Sequence, residues 1–355
     1  MIAHVNSHGV RARKKLNKMI KTKYPILYLL AVSVLTFSCQ DRNSIEKRQK
    51  SRDNVVKVKD NIKFLEPDSV LISDFSYIKV LGDYVVIPDL KSSEKLVHLF
   101  DRSSLSYIAS IGDLGQGPGE IASMGAVAYD IEHDCLQVVD YGSKNIYNFN
   151  VDSVKKNPYY LPNVKQKLRN DVFTYEYHFL NDTICIGSFI IRNGYESNDM
   201  KIGKWNMQTG EVQLHQAEHP AASEYFVAYD YSKKQDLIVE CSKNYDLINL
   251  FDSHLNLKKH IYGPEWNEND DRIQHFLSVA IYKDWIIAAY DGKKSRDYGM
   301  PLICHVFDLE GNYVKTLDVG YKIWRISVDE ANDRLYFSFQ DIYQFGYLDL
   351  KDILN

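Results

Sequence analysis

Leu302-Ile303-Cys304-His305-Val306-Phe307-Asp308-Leu309-Glu310-Gly311-Asn312 decides the fold of this 355-residue chain. A strand-like run ends in Phe307-Asp308 and reverses over Gly311, which supplies the positive φ that a tight turn needs. The same ending, a large residue before Asp or Asn, recurs at Phe100-Asp101, Phe149-Asn150, Trp205-Asn206, Phe251-Asp252 and Leu348-Asp349. Successive pairs are 49, 56, 46, 56 and 41 residues apart. Self-similarity at 40–50 residues marks four-stranded blades around a channel. Six pairs therefore predict an all-β, six-bladed β-propeller.

The runs between these pairs divide into blades. Blade 1 takes Ile78–Ile111, blade 2 begins at Val127-Ala128-Tyr129-Asp130, and blade 3 covers Val172–Gln216. Blade 4 begins with the same tetrapeptide, Val227-Ala228-Tyr229-Asp230. Blade 5 starts near Phe276, and blade 6 holds Ile323–Val328, Arg334–Phe339 and Tyr343–Asp349. The outer strand of blade 2 is expected before Pro162. Blade 6 lacks a fourth strand, which leaves an open edge. Asn54–Lys59 alternates and precedes blade 1, so it is expected to pair with Tyr343–Asp349 and close the ring.

At the N-terminus, Lys21 and Lys23 precede the short apolar run Tyr24–Leu35, a secretory signal and not a membrane span. The domain reading is an extension at 1–18 upstream of the true start, a signal peptide at 19–38, a tether at 39–53 and the propeller at 54–355. Leu35-Thr36-Phe37-Ser38-Cys39 resembles a bacterial lipobox, which would make Cys39 the lipidated first residue. The polar stretch after it reads as linker.

Charge supports export and excludes one class of partner. Seven of the 43 Lys and Arg precede Cys39, leaving 36 against 47 Asp and Glu, a net charge of −11. Nucleic acid, which calls for a basic face, is excluded. The 26 Tyr and 15 Phe suit strands and also glycan or peptide contacts. Cys135, Cys185, Cys241 and Cys304 have no metal-site spacing and read as buried small hydrophobes, with a disulfide between adjacent blades left open.

The segment Ser110-Ile111-Gly112-Asp113-Leu114-Gly115-Gln116-Gly117-Pro118-Gly119-Glu120-Ile121 closely resembles the Gly-x-Gly-Pro-Gly-Glu motif of six-bladed propeller lipoproteins of Gram-negative anaerobic bacteria, of TolB-like and NHL-like style. The resemblance covers residues 19–355. It implies an exported lipoprotein facing the periplasm or on the outer membrane, held to the membrane by its lipid, with no chemistry attached.

Site candidates follow from the expected ring. Gly117, Gly119 and Glu120 form a compact loop whose N–H groups could cradle an anion; the bland reading is a rigid turn with Glu120 bonding its own backbone. Gly263-Pro264-Glu265-Trp266 echoes that loop after blade 4. Tyr177, His178, Tyr225, Gln274, His275, Trp324 and Arg325 fall near the starts of inner strands, where aromatics beside Arg and His can hold a sugar or peptide. These segments are expected to converge at one channel mouth. The favoured function is a binding module of the cell envelope for a glycan, a peptide or an envelope protein. The alternative is a metal-dependent hydrolase or lyase with Ca or Zn in the channel, for which Glu176, Asp130, Asp230 and Asp329 are the carboxylates available. The Asp of Val-Ala-Tyr-Asp is read as the start of a hairpin turn. No Gly-x-Ser-x-Gly or His-Glu-x-x-His occurs, so no catalytic motif is named.

Overall fold

Phe100, Phe149, Trp205, Phe251, Phe307 and Leu348 are all buried, so the repeated large residue fills the spaces between blades. In four of the six, the Asp or Asn after it holds the next turn. Asp101 accepts the N–H of Ser104 at 2.8 Å, Asn206 that of Gln208 at 2.9 Å, Asp252 that of His254 at 2.8 Å and Asp308 that of Asn312 at 2.7 Å. Such Asx turns satisfy donors that a reversing chain would otherwise expose. Gly311 has φ +73°, as its place in the turn requires.

The computed structural model describes residues 45–354, except 158, 170–171, 194–196, 218–225, 267–272 and 295–298. The extension, the signal segment, Cys39, residues 40–44 and Tyr225 lie outside the described residues. Six antiparallel sheets follow one another around the ring. Blade 1 is Lys79–Leu81, Tyr84–Pro88, Lys95–Asp101 and Tyr107–Asp113. Blade 2 is Met124–Asp130, Cys135–Asp140, Asn145–Asn150 and Asn163–Lys167. Blade 3 is Val172–Phe179, Ile184–Asn193, Ser197–Asn206 and Val212–Leu214. Blade 4 is Val227–Ser232, Leu237–Ser242, Leu247–Phe251 and Leu257–Tyr262. Blade 5 is Ile273–Tyr282, Trp285–Lys294, Ile303–Asp308 and Tyr313–Asp318. Blade 6 is Ile323–Asp329, Arg334–Phe339 and Phe345–Asp349, with Lys63–Leu65 as its outer strand.

One outer strand is displaced from its expected place. In blade 2, Asn150 accepts the N–H of Ser153 at 2.9 Å and caps a short helix, Val151–Lys156. The helix pushes the outer strand beyond Pro162. Hydrophobic clusters fill every blade-to-blade interface, from blades 1 and 2 around to blades 6 and 1. All four described cysteines are buried and free.

The N-terminal segment closes the ring, by a different stretch from the one expected. Val55–Lys57 lies parallel on the outer strand of blade 5, and Val55 pairs with Thr316. A turn at Lys59–Asn61 then delivers Lys63–Leu65, antiparallel to Phe345–Tyr347, as the fourth strand of blade 6. Val58 and Ile62 are buried on either side of that turn, and the Phe64 ring stacks on Tyr343 at 3.7 Å. The longer alternating run lost to a three-residue strand because its apolar anchors sit between blades 5 and 6. Glu46–Arg48, inside the stretch read as a tether, is also a strand, parallel to blade 4. The segment is therefore a strap across three consecutive blades. Between its first two strands, Arg52 forms a buried ion pair with Asp246 at 2.8 Å and lies over the rings of Tyr290 and Phe307.

Candidate functional site

Inner strands of a propeller line its channel, and here bulges decide what they present. The register shifts between Thr174 and Glu176 in blade 3, between Gln274 and Ser278 in blade 5, and between Ile323 and Arg325 in blade 6. The inner strands of blades 1, 3, 4, 5 and 6 enclose a cavity of ≈140 Å³. Lys79, Tyr175, Glu176, His178, Asp230 and Arg325 line it, with Tyr77 just ahead of blade 1.

Side chains stitch these strands across the blades. Asp230 accepts the Ile281 N–H at 2.7 Å, Ser278 accepts that of Ile326 at 3.1 Å, and Ser327 that of Val80 at 3.0 Å. Backbone donors that no ladder reaches are thereby satisfied.

The charged cluster has a clear order. Glu176 forms ion pairs with Lys79 and, at 3.8 Å, with Arg325. Arg325 also donates to the Tyr175 hydroxyl at 2.7 Å and lies 4.7 Å from the Tyr77 ring centroid. Lys79 reaches the Val127 carbonyl at 3.4 Å. Burial pushes the Glu176 carboxyl up, but Lys79 and Arg325 outweigh it and hold the value at about 2. Burial, then the Lys79 charge, lowers His178 to about 4. Burial raises Asp230 to about 7, against the pull of two backbone donors and with a push from Glu176. His178 Nε2 lies 3.8 Å from Asp230 Oδ1. Near pH 7 the channel thus sets the Glu176 carboxylate between Lys79 and Arg325, beside a neutral imidazole and a partly protonated Asp230 carboxyl.

Of the residues expected from sequence, His178 and Arg325 meet in this channel. Trp324 stands edge-on to Tyr77 at 5.7 Å, beside it. The others lie elsewhere. Tyr177 is buried between blades 2 and 3 and donates to Gln137 at 2.9 Å. His275 is buried against the Tyr290 hydroxyl at 3.2 Å. Trp266 packs on Tyr262, and Arg48 of the strap lies 4.7 Å from its ring centroid. In the glycine loop, Glu120 accepts the Gly117 N–H at 2.7 Å, and Gly119, with φ +79°, abuts Leu161 and Pro162 of blade 2. That loop closes on itself and does not line the channel, so the expected convergence at one mouth is reduced to His178, Arg325 and the neighbouring Trp324.

Asp230 is not a turn residue. Asp130 ends its strand opposite Cys135 and bonds His133, whereas blade 4 continues two residues further and Asp230 pairs with Val239. Identical tetrapeptides therefore hold their Asp at different depths. Asp329 holds the Ala331 N–H at 3.1 Å in its own turn, and neither it nor Asp130 lines the cavity. Lys79 was missed altogether. Its signal was a lone cation inside the apolar run Ile78-Lys79-Val80-Leu81.

Residues 56–331 match the family described as TolB-like 6-blade propeller-like. The chain belongs to that family. Among solved structures, regucalcin, a calcium-binding protein of Agrobacterium tumefaciens, superposes with TM-score 0.55 at 9% identity, covering 83% of this chain and 95% of that one. A candidate exported protein of Bacteroides fragilis gives TM-score 0.53 at 11% identity over 82% and 87%. A DUF4221 member from Bacteroides vulgatus gives 0.52 at 13% over 81% and 95%. At these identities the likeness is one of fold. No curated protein matches the chain in sequence.

Proposed function

We propose that this TolB-like propeller is an exported, lipid-anchored binding module of the cell envelope whose channel recognises an uncharged, hydroxyl-rich group of a glycan. The observation that carries the reading is the engagement of Glu176 by both Lys79 and Arg325. A divalent cation would need that carboxylate, and among the described residues no three His, Cys, Asp or Glu side chains group to hold one. The calcium-binding neighbour shares the fold with this chain. Beside the Glu176 ion pairs lie a neutral His178, a partly protonated Asp230 and the phenol of Tyr175, which already accepts from Arg325. Such groups exchange hydrogen bonds with hydroxyls. At ≈140 Å³ the cavity lies below the ~300–1,000 Å³ of sites that engulf a drug-sized ligand, so it suits a terminal group.

Titration calorimetry of the mature protein against envelope oligosaccharides and peptides tests this. His178→Ala is expected to weaken glycan binding about tenfold or more, as the loss of a central contact does. Unchanged affinity in a folded variant, binding of peptides alone, or stoichiometric calcium or zinc in the purified protein would each overturn it.

The anchor rests on the lipobox-like sequence ending at Cys39 and has its own test. Cys39→Ala should move the protein from the membrane to the soluble fraction, because each buried CH₂ of the lipid contributes about 0.8 kcal/mol. Retention on membranes after a salt wash would refute the lipid anchor.

A further inference from the structure

Beyond the channel, the outer edge of blade 1 repeats a docking arrangement that the strap fills elsewhere. In blade 5, the His305 ring bonds the Thr316 hydroxyl at 2.9 Å, and Tyr313 bonds the same hydroxyl at 2.8 Å. This unit receives the strap. The Asn54 carbonyl accepts from the Thr316 N–H at 2.7 Å and from the Tyr313 hydroxyl at 3.0 Å, and four residues on the Val58 N–H donates to Asp318 at 3.0 Å. Blade 4 takes its strap strand with the same spacing. The Ile45 carbonyl accepts the His260 N–H at 2.7 Å, and the Gln49 N–H donates to Tyr262 at 2.9 Å.

Blade 1 carries the blade 5 unit again. The His98 ring bonds the Ser110 hydroxyl at 2.8 Å, and Tyr107 bonds it at 2.9 Å. Tyr107-Ile108-Ala109-Ser110 thus corresponds to Tyr313-Val314-Lys315-Thr316. By that correspondence, the Ser110 N–H faces outward where Thr316 meets the strap, whereas Gly112, at φ +74°, departs from the extended backbone of Asp318. Yet the sheet of blade 1 ends at this strand, and among the described residues no further strand pairs with Tyr107–Ile111; beyond it the Ile121 N–H donates to the Asp113 carbonyl at 2.8 Å. A groove of ≈640 Å³ runs alongside, with Val70 and Leu71 among its walls together with Tyr107, Ala109 and Val154. Leu71 is 96% exposed. Neither blade 2 nor blade 3 offers an equivalent edge. The outer strand of blade 3 has three residues, and that of blade 2, Asn163–Lys167, has neither the Tyr nor the Ser or Thr of this unit.

We propose that the edge Tyr107–Ile111 binds an extended segment of a partner polypeptide, added as a parallel fifth strand. The two occupied copies define the occupant. It is an extended stretch one of whose carbonyls meets the Ser110 N–H and the Tyr107 hydroxyl, as the Asn54 carbonyl meets Thr316 and Tyr313. Small or β-branched residues after that carbonyl fit, as Val55 and Val56 do on blade 5. Strand addition of this kind draws affinity from backbone bonds and specificity from side-chain pockets. The site also continues an established interface, since the strap covers blades 4, 5 and 6 and blade 1 is next in the ring.

The test uses the folded full chain and a synthetic peptide of sequence Asp53-Asn54-Val55-Val56-Lys57-Val58-Lys59. Hydrogen exchange read by mass spectrometry should show saturable protection at 107–111. Tyr107→Phe, at an exposed position, should weaken binding about fivefold, the worth of one net hydrogen bond. Ser110→Pro, if it folds, should abolish binding by removing the edge donor. Absence of protection at 107–111, protection confined to Tyr313–Asp318 through exchange with the resident strap, or equal affinity in Tyr107→Phe would each overturn the proposal.

Discussion

A chain beginning at Glu66 is expected to lose cooperative unfolding, whereas one beginning at Asn54 should keep a single transition at reduced stability. Starting at Asn54 removes Glu46–Arg48 and Arg52. Asp246 then stays buried without its cation, and breaking such a pair costs about 3–5 kcal/mol. The ring itself remains closed, because Lys63–Leu65 still pairs with Phe345–Tyr347. Starting at Glu66 removes that strand together with Val58 and Ile62, whose burial is worth about 1.5–3 kcal/mol each. It also strips the blade 6 edge of its backbone partners and severs the link between first and last segments. Urea denaturation followed by fluorescence and circular dichroism distinguishes the two. Coincident, equally steep transitions for both truncations would show that Lys63–Leu65 does not close the ring. Arg52→Ala alone should reproduce most of the loss seen on starting at Asn54.

Asp230→Asn should stabilise the protein increasingly between pH 4 and pH 7. The Asp230 carboxyl sits at about 7 when folded against an ordinary value near 3.8. Between those values the unfolded chain releases its proton and the folded one keeps it, so this group lowers stability as pH rises. The full displacement corresponds to on the order of 2–4 kcal/mol above pH 7. Asn retains an oxygen to accept the Ile281 N–H but cannot ionise. His178 acts in the opposite sense. Its value of about 4 when folded, below the ordinary 6.5, makes its contribution rise between those pH values. The two partly cancel in the native protein. The difference between variant and native protein isolates Asp230: near zero at pH 4, large at pH 8. Glu176, held at about 2, contributes stability that is complete above about pH 4.5 and lost only as pH falls toward 2. A pH-independent difference in unfolding free energy would show that Asp230 is not displaced.

The sequence by itself determined the blade count, because each blade must bury a large residue before its third turn and most cap that turn with Asp or Asn. Those two demands leave a recurring dipeptide, readable without knowing where any blade lies. It also indicated that an N-terminal strand completes blade 6, since an open edge in a ring is costly. Which segment does so was decided by tertiary packing. Val55–Lys57 has the better strand pattern, yet Val58 and Ile62 fit between blades 5 and 6 and place Lys63–Leu65 at the edge. The channel cluster belongs to the same category. Lys79, Glu176, Asp230 and Arg325 come from four blades and meet only in a closed ring. Bulges at Tyr175 and Trp324 set which neighbours face inward, and a bulge leaves no mark in a pattern of period two. Asp130 and Asp230 make the point most directly. Their four-residue contexts are identical, and the two extra strand residues after Asp230 alone place its carboxyl in the channel and raise its affinity for a proton.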